Sequence, residues 1–335
     1  MSSRPQRILY VISGRWSFVE IDRAILQERW EVEEWHQPGR APDLIRLPGA
    51  VLRADLVFGW FASWHSFLPI VLAWLTRKPS VLIVGGFDTA NMPWIGYGFQ
   101  QGGLRRWASR FIMRRASRLV TNSFYSREEI TANTGIPAEK ITVIHHGIPD
   151  EFGDLGPEEG REPVALTVGH LAAETLEQKG HRPFVDAAAL VPEARFVFVG
   201  RWLDDSIEQL RERAGSNVVF TGFISDDERD GWYRRAWCYV QASHHEGFGM
   251  AVAEAMLAGC IPVVVNTTAM PEVVGDTGVL IDSPEPADIA EGVRHALELG
   301  PDARARARAR ILSEFPVENR RNGIQQVVEE ALRRR

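Results

Sequence analysis

Ten short runs of apolar, β-branched and aromatic residues recur along the chain, separated by segments with helical spacing, and this alternation constrains the fold more than any other feature. ILYVIS, ADLVFGWF, SVLIVGG, RLVTNS and KITVIHHG form a first series; VALTVG, RFVFVG, NVVFTGF, WCYVQAS and IPVVVN form a second. Strand-like runs that alternate with helical ones predict parallel, doubly wound α/β sheets. With 335 residues, 45% hydrophobic and 24% charged, the chain is too long for one typical core and predicts two such domains facing a cleft. Residues 149 to 163, rich in Gly, Pro, Asp and Glu, read as the linker, so the expected domains are 1–150 and 151–315. Pro316 breaks the helix before it and leaves residues 316–335 as a terminal helix. The Ala-Arg alternation of residues 303 to 310 lies in a helical stretch and reads as a charged face.

The chemistry concentrates between Glu246 and Met270, EGFGMAVAEAMLAGCIPVVVNTTAM. The strand-like WCYVQAS runs into Gly247, Phe248, Gly249 and Met250, which turn the chain into a helix of small residues. A helix N-terminus therefore faces the strand's carboxyl end, where unpaired amides and the macrodipole favour a diphosphate and the glycines allow close backbone approach. Glu254, about one turn further in, can accept hydrogen bonds from vicinal ribose hydroxyls; Glu246, on the loop, can reach a hexose in front of the phosphates. Two glutamates eight apart also occur on solvated helix faces, but that account leaves the glycines and the strand-turn-helix context unexplained.

Only Cys238 and Cys260 are present, each inside an apolar run and without metal-ligand spacing, so buried free thiols are expected and no metal site. The N-terminal SSRPQR leads straight into a strand without a signal-peptide pattern, and the longest apolar segment, residues 67 to 75, is interrupted by Pro69. The expectation is a cytoplasmic protein. Net charge is −6, but residues 1 to 150 hold 18 Lys/Arg against 13 Asp/Glu and the remainder 20 against 31. Arg105, Arg106, Arg110, Arg114, Arg115 and Arg118 lie with Leu104, Trp107, Phe111, Ile112 and Leu119 in a segment without acids, which reads as a basic amphipathic helix. Such a helix suits an anionic bilayer on the inner face of a membrane, or a core-packed helix with an arginine-rich solvent face. The acidic whole and the lack of a nucleic-acid motif argue against nucleic acid.

The segment from Glu246, with its EGFG, small-residue helix and Gly-x-Pro-Val strand, resembles the Glu-x7-Glu signature of retaining GT-B nucleotide-sugar glycosyltransferases of family four. The resemblance extends over nearly the whole chain. It implies two Rossmann-like domains, the first binding acceptor and the second the nucleotide sugar, with the terminal helix crossing back to the first. No cofactor or metal is implied beyond the nucleoside-diphosphate sugar as co-substrate, and the partner is a glycan or lipid-linked acceptor. VGHLAAETLEQKGH is similar to the family's VGR followed by Lys-Gly, in which an arginine and a lysine grip the phosphates. Lys179 takes the lysine's role. His170 stands where the family has arginine, so either it or Arg201 of FVFVGRW supplies the second contact. NVVFTGFIS resembles the segment that packs on the nucleobase, bringing in Gly222, Phe223 and Ile224, although core packing is the simpler account of Phe223. Gly14 resembles the N-terminal glycine loop, or is an ordinary βα turn.

VLIVGGFDTANMPWIGYG is similar to a loop where many relatives carry a His-Gly-x-Asp-like run. The histidine is absent, which leaves Asp88 as the carboxylate expected to orient the acceptor hydroxyl or take its proton, with an N-cap or Asx turn as the alternative. His65 is a second candidate that packing also explains, and His145 and His146 read as structural. The expected catalytic set is thus Glu246, Asp88 and Lys179. Same-face transfer of a hexose to a hydroxyl acceptor is the activity this implies. A GT-B epimerase, or a non-catalytic sugar-nucleotide-binding protein at a membrane, stays open as an alternative. Eleven tryptophans, eight of them before residue 110, suit a glycan or lipid platform, and core packing accounts for most.

Overall fold

The structure is a computed structural model that describes residues 5–39, 43–153 and 160–333; residues 154 to 159 of the expected linker lie outside the described residues. The chain divides into two compact units, one of residues 1–147 with 317–335 and the other of residues 148–316.

The first unit is built on β1 (Arg7–Ile12), β2 (Glu31–His36), β3 (Leu56–Trp60), β4 (Ser80–Ile83), β5 (Arg118–Thr121) and β6 (Ile141–Val143), all parallel in the order β2-β1-β3-β4-β5-β6. Successive residues of β1 feed opposite faces, as the pleat requires. Tyr10 and Ile12 pack with Phe58, Trp60 and Ile83 beneath Ile324, Val327 and Val328 of the terminal helix Val317–Arg333. Leu9 and Val11 pack on the other face with Leu47, Ile70, Ile112 and Met113 from three helices. The terminal helix is pinned by Arg320, whose guanidinium makes a two-pronged ion pair with Asp22 at 2.8 and 2.7 Å and donates to the Ile144 carbonyl at 2.6 Å. Both partners of that pair are buried.

The second unit carries β7 (Glu162–Val168), β8 (Arg195–Val199), β9 (Val218–Gly222), β10 (Ala236–Gln241), β11 (Ile261–Val265) and β12 (Val279–Ile281), again all parallel, in the order β12-β11-β10-β7-β8-β9. Two apolar clusters cover its faces, one around Phe184, Phe196 and Val263, the other around Leu166, Tyr239 and Met256.

Each sheet reverses its strand order once, between β1 and β3 in the first unit and between β7 and β10 in the second. In open parallel sheets ligands bind outside the carboxyl ends of the strands at that reversal, because the flanking connections leave there in opposite directions and open a crevice. The two strands that sequence reasoning missed, β2 and β12, are edges of the two sheets. Cys238 and Cys260 are buried free thiols. Among the described residues no helix is long and apolar enough to cross a membrane.

Candidate functional site

The reversal in the second unit lies between the exits of β7 and β10, and the chain builds a charged cluster there. After β7 a short helix, Ala173–Gln178, ends at Lys179 and Gly180. Gly180 has φ of +66°, and a Cβ there would fall 2.1 Å from the Ala242 carbonyl oxygen, so only glycine lets this loop lie against the exit of β10. Gln178 laces the two segments together: its amide donates to the His245 carbonyl at 2.7 Å and its own carbonyl accepts from the His244 amide at 2.9 Å. The result places the Lys179 ammonium 2.5 Å from Glu246 Oε1.

The same oxygen accepts from Ser243 Oγ at 2.9 Å and Gln241 Nε2 at 3.0 Å. Three donors thus fix one carboxylate oxygen, which holds the Glu246 side chain in one orientation. Gly180→Ala is expected to combine left-handed strain with a backbone collision, costing about 2 kcal/mol or more of unfolding free energy. Urea denaturation checks this, and an unchanged midpoint would sink the close-packing account.

Beyond Glu246 the chain turns at Gly249, φ +104°, where a Cβ would meet the Met270 terminal methyl at 2.4 Å. The helix Met250–Leu257 starts there, with its first amides at the carboxyl end of β10. Phe248 is buried and packs edge-on against Phe315, so only its backbone is available to a ligand. Met250 packs against the adjacent core cluster. Glu254 receives the Tyr233 hydroxyl at 3.4 Å; burial pushes its carboxyl up to about 7, against the pull of the nearby Arg229 charge.

Arg201 and Phe223, at the exits of β8 and β9, face each other, with the guanidinium carbon 4.5 Å from the ring centroid. The ring is 69% exposed, which corrects the simpler expectation that an aromatic after a strand is core. Gly222 turns the chain at φ +72°, and Ile224 packs inward. His170 is exposed at the exit of β7, its carbonyl accepting the Thr175 hydroxyl at 3.3 Å.

In the first unit the loop after β4 places Asp88 inside the protein. Its side-chain oxygens accept the Ala62 amide at 2.8 Å and the Gly85 amide at 3.1 Å, it is 2% exposed, and burial pushes its carboxyl up to about 6. This geometry is a loop clamp, which corrects the expectation of a carboxylate open to an acceptor hydroxyl. His65 is likewise packed: its ring donates to the Trp60 carbonyl at 2.6 Å and burial keeps it neutral by lowering its pKa. His146 is buried against Phe18 and Trp60, and its pKa is lowered by burial and the Arg320 charge. Gly14 sits beneath Trp16, whose ring a Cβ would approach to 2.7 Å.

The basic segment forms the helix Gly103–Arg115. Its core-facing residues are Ala108, Ile112 and Met113, so the expected single apolar stripe is split, with Ile112 inside while Leu104 and Trp107 stand in solvent. Arg110 donates to Gln100 and the Asn133 carbonyl, and Arg114 to the Thr134 carbonyl. Both arginines therefore tie the helix to its neighbours. Arg105, Arg106 and Arg115 make no such backbone ties among the described residues.

Gln241, Ser243 and Tyr233 were missed as site residues. The signal was present for two of them, since a strand ending in QAS places polar groups where a buried strand would otherwise stay apolar. Among the described residues no group of three or more His, Cys, Asp or Glu side chains could hold a metal ion.

These features match known proteins over most of the chain. A family model described as Glycosyl transferases group 1 matches residues 162–299, and one described as Glycosyltransferase Family 4 matches residues 19–152. The glycogen synthase of Mycobacterium tuberculosis is 30% identical over 297 residues, 79% of this chain and 70% of that one. The O-antigen chain mannosyltransferase B of Escherichia coli is 30% identical over 203 residues, 55% of this chain and 51% of that one, so the match spans about half of that relative's length. Among solved structures, Anabaena HepE in complex with UDP and glucose aligns with a TM-score of 0.75 at 18% identity, over 97% of this chain and 100% of that one. The sucrose-phosphate synthase of Thermosynechococcus elongatus gives 0.76 at 17% identity, over 99% and 100%. Two parallel six-stranded sheets of this order, each flanked by helices, define the GT-B class of fold. The chain belongs to the group 1 glycosyltransferases, family 4.

Proposed function

We propose that the chain is a retaining glycosyltransferase that moves a hexose-type sugar from a nucleoside-diphosphate sugar to a hydroxyl acceptor. The observation that carries this reading is the Glu246 carboxylate held by Lys179, Gln241 and Ser243 directly before a glycine-bounded helix start. An anion-binding helix terminus and a cation stand together there, which is what a leaving diphosphate requires. In the proposed step the bond from the anomeric carbon to the diphosphate oxygen breaks with its electron pair on that oxygen. The acceptor oxygen then bonds to the same face of the sugar and its proton passes to the departing diphosphate. Lys179 and the amides after Gly249 stabilise the growing negative charge without a metal, Glu246 orients the sugar hydroxyls, and Glu254 accepts from the ribose. The HepE structures with UDP and with UDP-glucose support the donor class, and the mannosyltransferase and glycogen synthase relatives support glycosyl transfer.

Calorimetric titration with UDP, GDP, ADP, dTDP and their hexose conjugates, with and without EDTA, tests the reading. One nucleotide series should bind equally in both buffers, and Glu254→Ala should lose it. The ribose contact needs the carboxylate form, and with a carboxyl at about 7 the ionised fraction rises from about a tenth at pH 6 to about nine tenths at pH 8. Affinity should therefore climb about tenfold over that interval, and Glu254→Gln should flatten the profile. A folded protein that binds no member of the panel would remove the transferase reading in favour of a scaffold.

A further inference from the structure

Between Asp55 and Glu128 the chain holds nine Lys/Arg and a single acid, Asp88, which is buried in its loop. The basic residues of this segment gather at Arg77 and Lys78 and from Arg105 onward, so the charge that it contributes is positive. Outside the carboxyl ends of the first-unit strands it helps to enclose a cavity of about 280 Å³, whose walls include Ser13, Gln37, Trp64, Phe87, Phe99 and Arg105. Arg105 lies over the Phe99 ring at 5.6 Å, and Phe87 meets Phe99 edge-on at 4.8 Å.

From Trp64 a row of rings leads away from this cavity. Phe67 follows at 6.0 Å, Trp107 at 5.9 Å from Phe67, Phe111 stacked at 5.3 Å on Trp107, and Trp74 at 6.2 Å from Phe111. Trp107 and Trp74 are 55% and 42% exposed, and Leu104 and Leu75, at 65% and 63%, widen the strip. Arg115 closes the far end, 4.5 Å over Trp74 and 5.2 Å over Phe111. Isolated exposed apolar residues are ordinary, but a connected strip of this kind marks a binding surface.

We propose that this face receives the acceptor and that the acceptor is a lipid phosphate whose headgroup carries the hydroxyl that is glycosylated. The anionic headgroup lies in the cavity beside Arg105, and the apolar tail lies along the row from Trp64 to Trp74. A guanidinium pairs with phosphate through parallel hydrogen bonds, and the rings remove the tail from water. Serine and glutamine at the cavity wall supply the hydrogen bonds that hold a polar headgroup. The assignment of the ligand as acceptor rests on the transferase reading above; the lipid phosphate site itself rests on this surface.

The test is calorimetric titration of the full chain with dodecyl phosphate below its micellar concentration, alongside inorganic phosphate, dodecyl maltoside and anionic phosphatidylglycerol vesicles. Dodecyl phosphate should bind at least tenfold more tightly than inorganic phosphate or the maltoside. Arg105→Ala, and separately Trp74→Ala with Trp107→Ala, should each weaken it at least tenfold while leaving nucleoside-diphosphate binding within twofold. Equal binding of inorganic phosphate or of the maltoside overturns the proposal, because the tail or the charge is then not read. Binding to vesicles without binding to monomeric dodecyl phosphate overturns it in favour of a bilayer surface. Nucleotide binding without dodecyl phosphate binding removes the lipid acceptor and leaves the transferase; dodecyl phosphate binding without nucleotide binding removes the transferase and leaves a lipid phosphate site.

Discussion

Lys179→Met is expected to lower kcat by about a thousandfold, ~4 kcal/mol of transition-state stabilisation, while the protein keeps its fold. The ammonium lies 2.5 Å from Glu246, and the loop that carries it is set by Gly180 and Gln178 rather than by the lysine itself. The variant should therefore lose charge at the leaving group without moving the backbone. Glu246→Gln is expected to behave differently. It also abolishes most turnover, but it frees Lys179 from its carboxylate partner, so a nucleoside diphosphate should bind as tightly as before or several-fold more tightly. Single-turnover rates and nucleotide titrations on both variants separate the two roles. A Lys179→Met enzyme within tenfold of the original rate would end the assignment of that lysine to the leaving diphosphate.

The second large effect concerns stability. Arg320→Met or Asp22→Asn should each cost about 3–5 kcal/mol of unfolding free energy, because either change strands a buried charge or polar group whose partner is gone. The guanidinium loses not only Asp22 but the Ile144 carbonyl at 2.6 Å and the Asn122 side chain at 3.2 Å, and its stacking over Trp60 at 5.6 Å. Changing both residues at once, to Met and Leu, should recover a large part of the loss, since a pair of apolar groups leaves nothing unpaired. Urea unfolding of the three variants measures this; single variants within 1 kcal/mol of the parent would show that the pair is not what pins the terminal helix.

Ten of the twelve strands were legible as apolar runs, because strands covered on both faces cannot hide their composition. β2 escaped because EVEEWH is an edge strand with exposed ends at Glu31 and His36 and only half-buried residues between them, and β12 because three residues are too few to show a period. The Glu246 to Glu254 segment was legible for a related reason: its glycines answer to backbone conformation, which depends on sequence locally. What surrounds a side chain does not. Asp88 carries the same letter whether it opens to an acceptor or clamps two amides, and only the path of the Ala62 and Gly85 backbone decides. Phe223 erred in the other direction, an aromatic after a strand that stands in water opposite Arg201. The basic helix showed its arginines but not which of its apolar residues the sheet would take.

The first unit is completed by the last helix, while the second begins and ends at one place: the Ile148 amide donates to the Phe315 carbonyl at 2.9 Å, and Ile148 pairs in parallel with Pro316. Topologically the second unit is an insert within the first. A ribosome therefore releases the second unit with all its strands and helices before the first unit has its last layer, and Ile8, Tyr10 and Phe58 wait for Ile324 and Val328 to be made. Truncating the final helix would then damage the domain farthest from it in sequence, whereas a genetic excision of residues 148 to 316, with 147 joined to 317, cuts where the chain already meets itself.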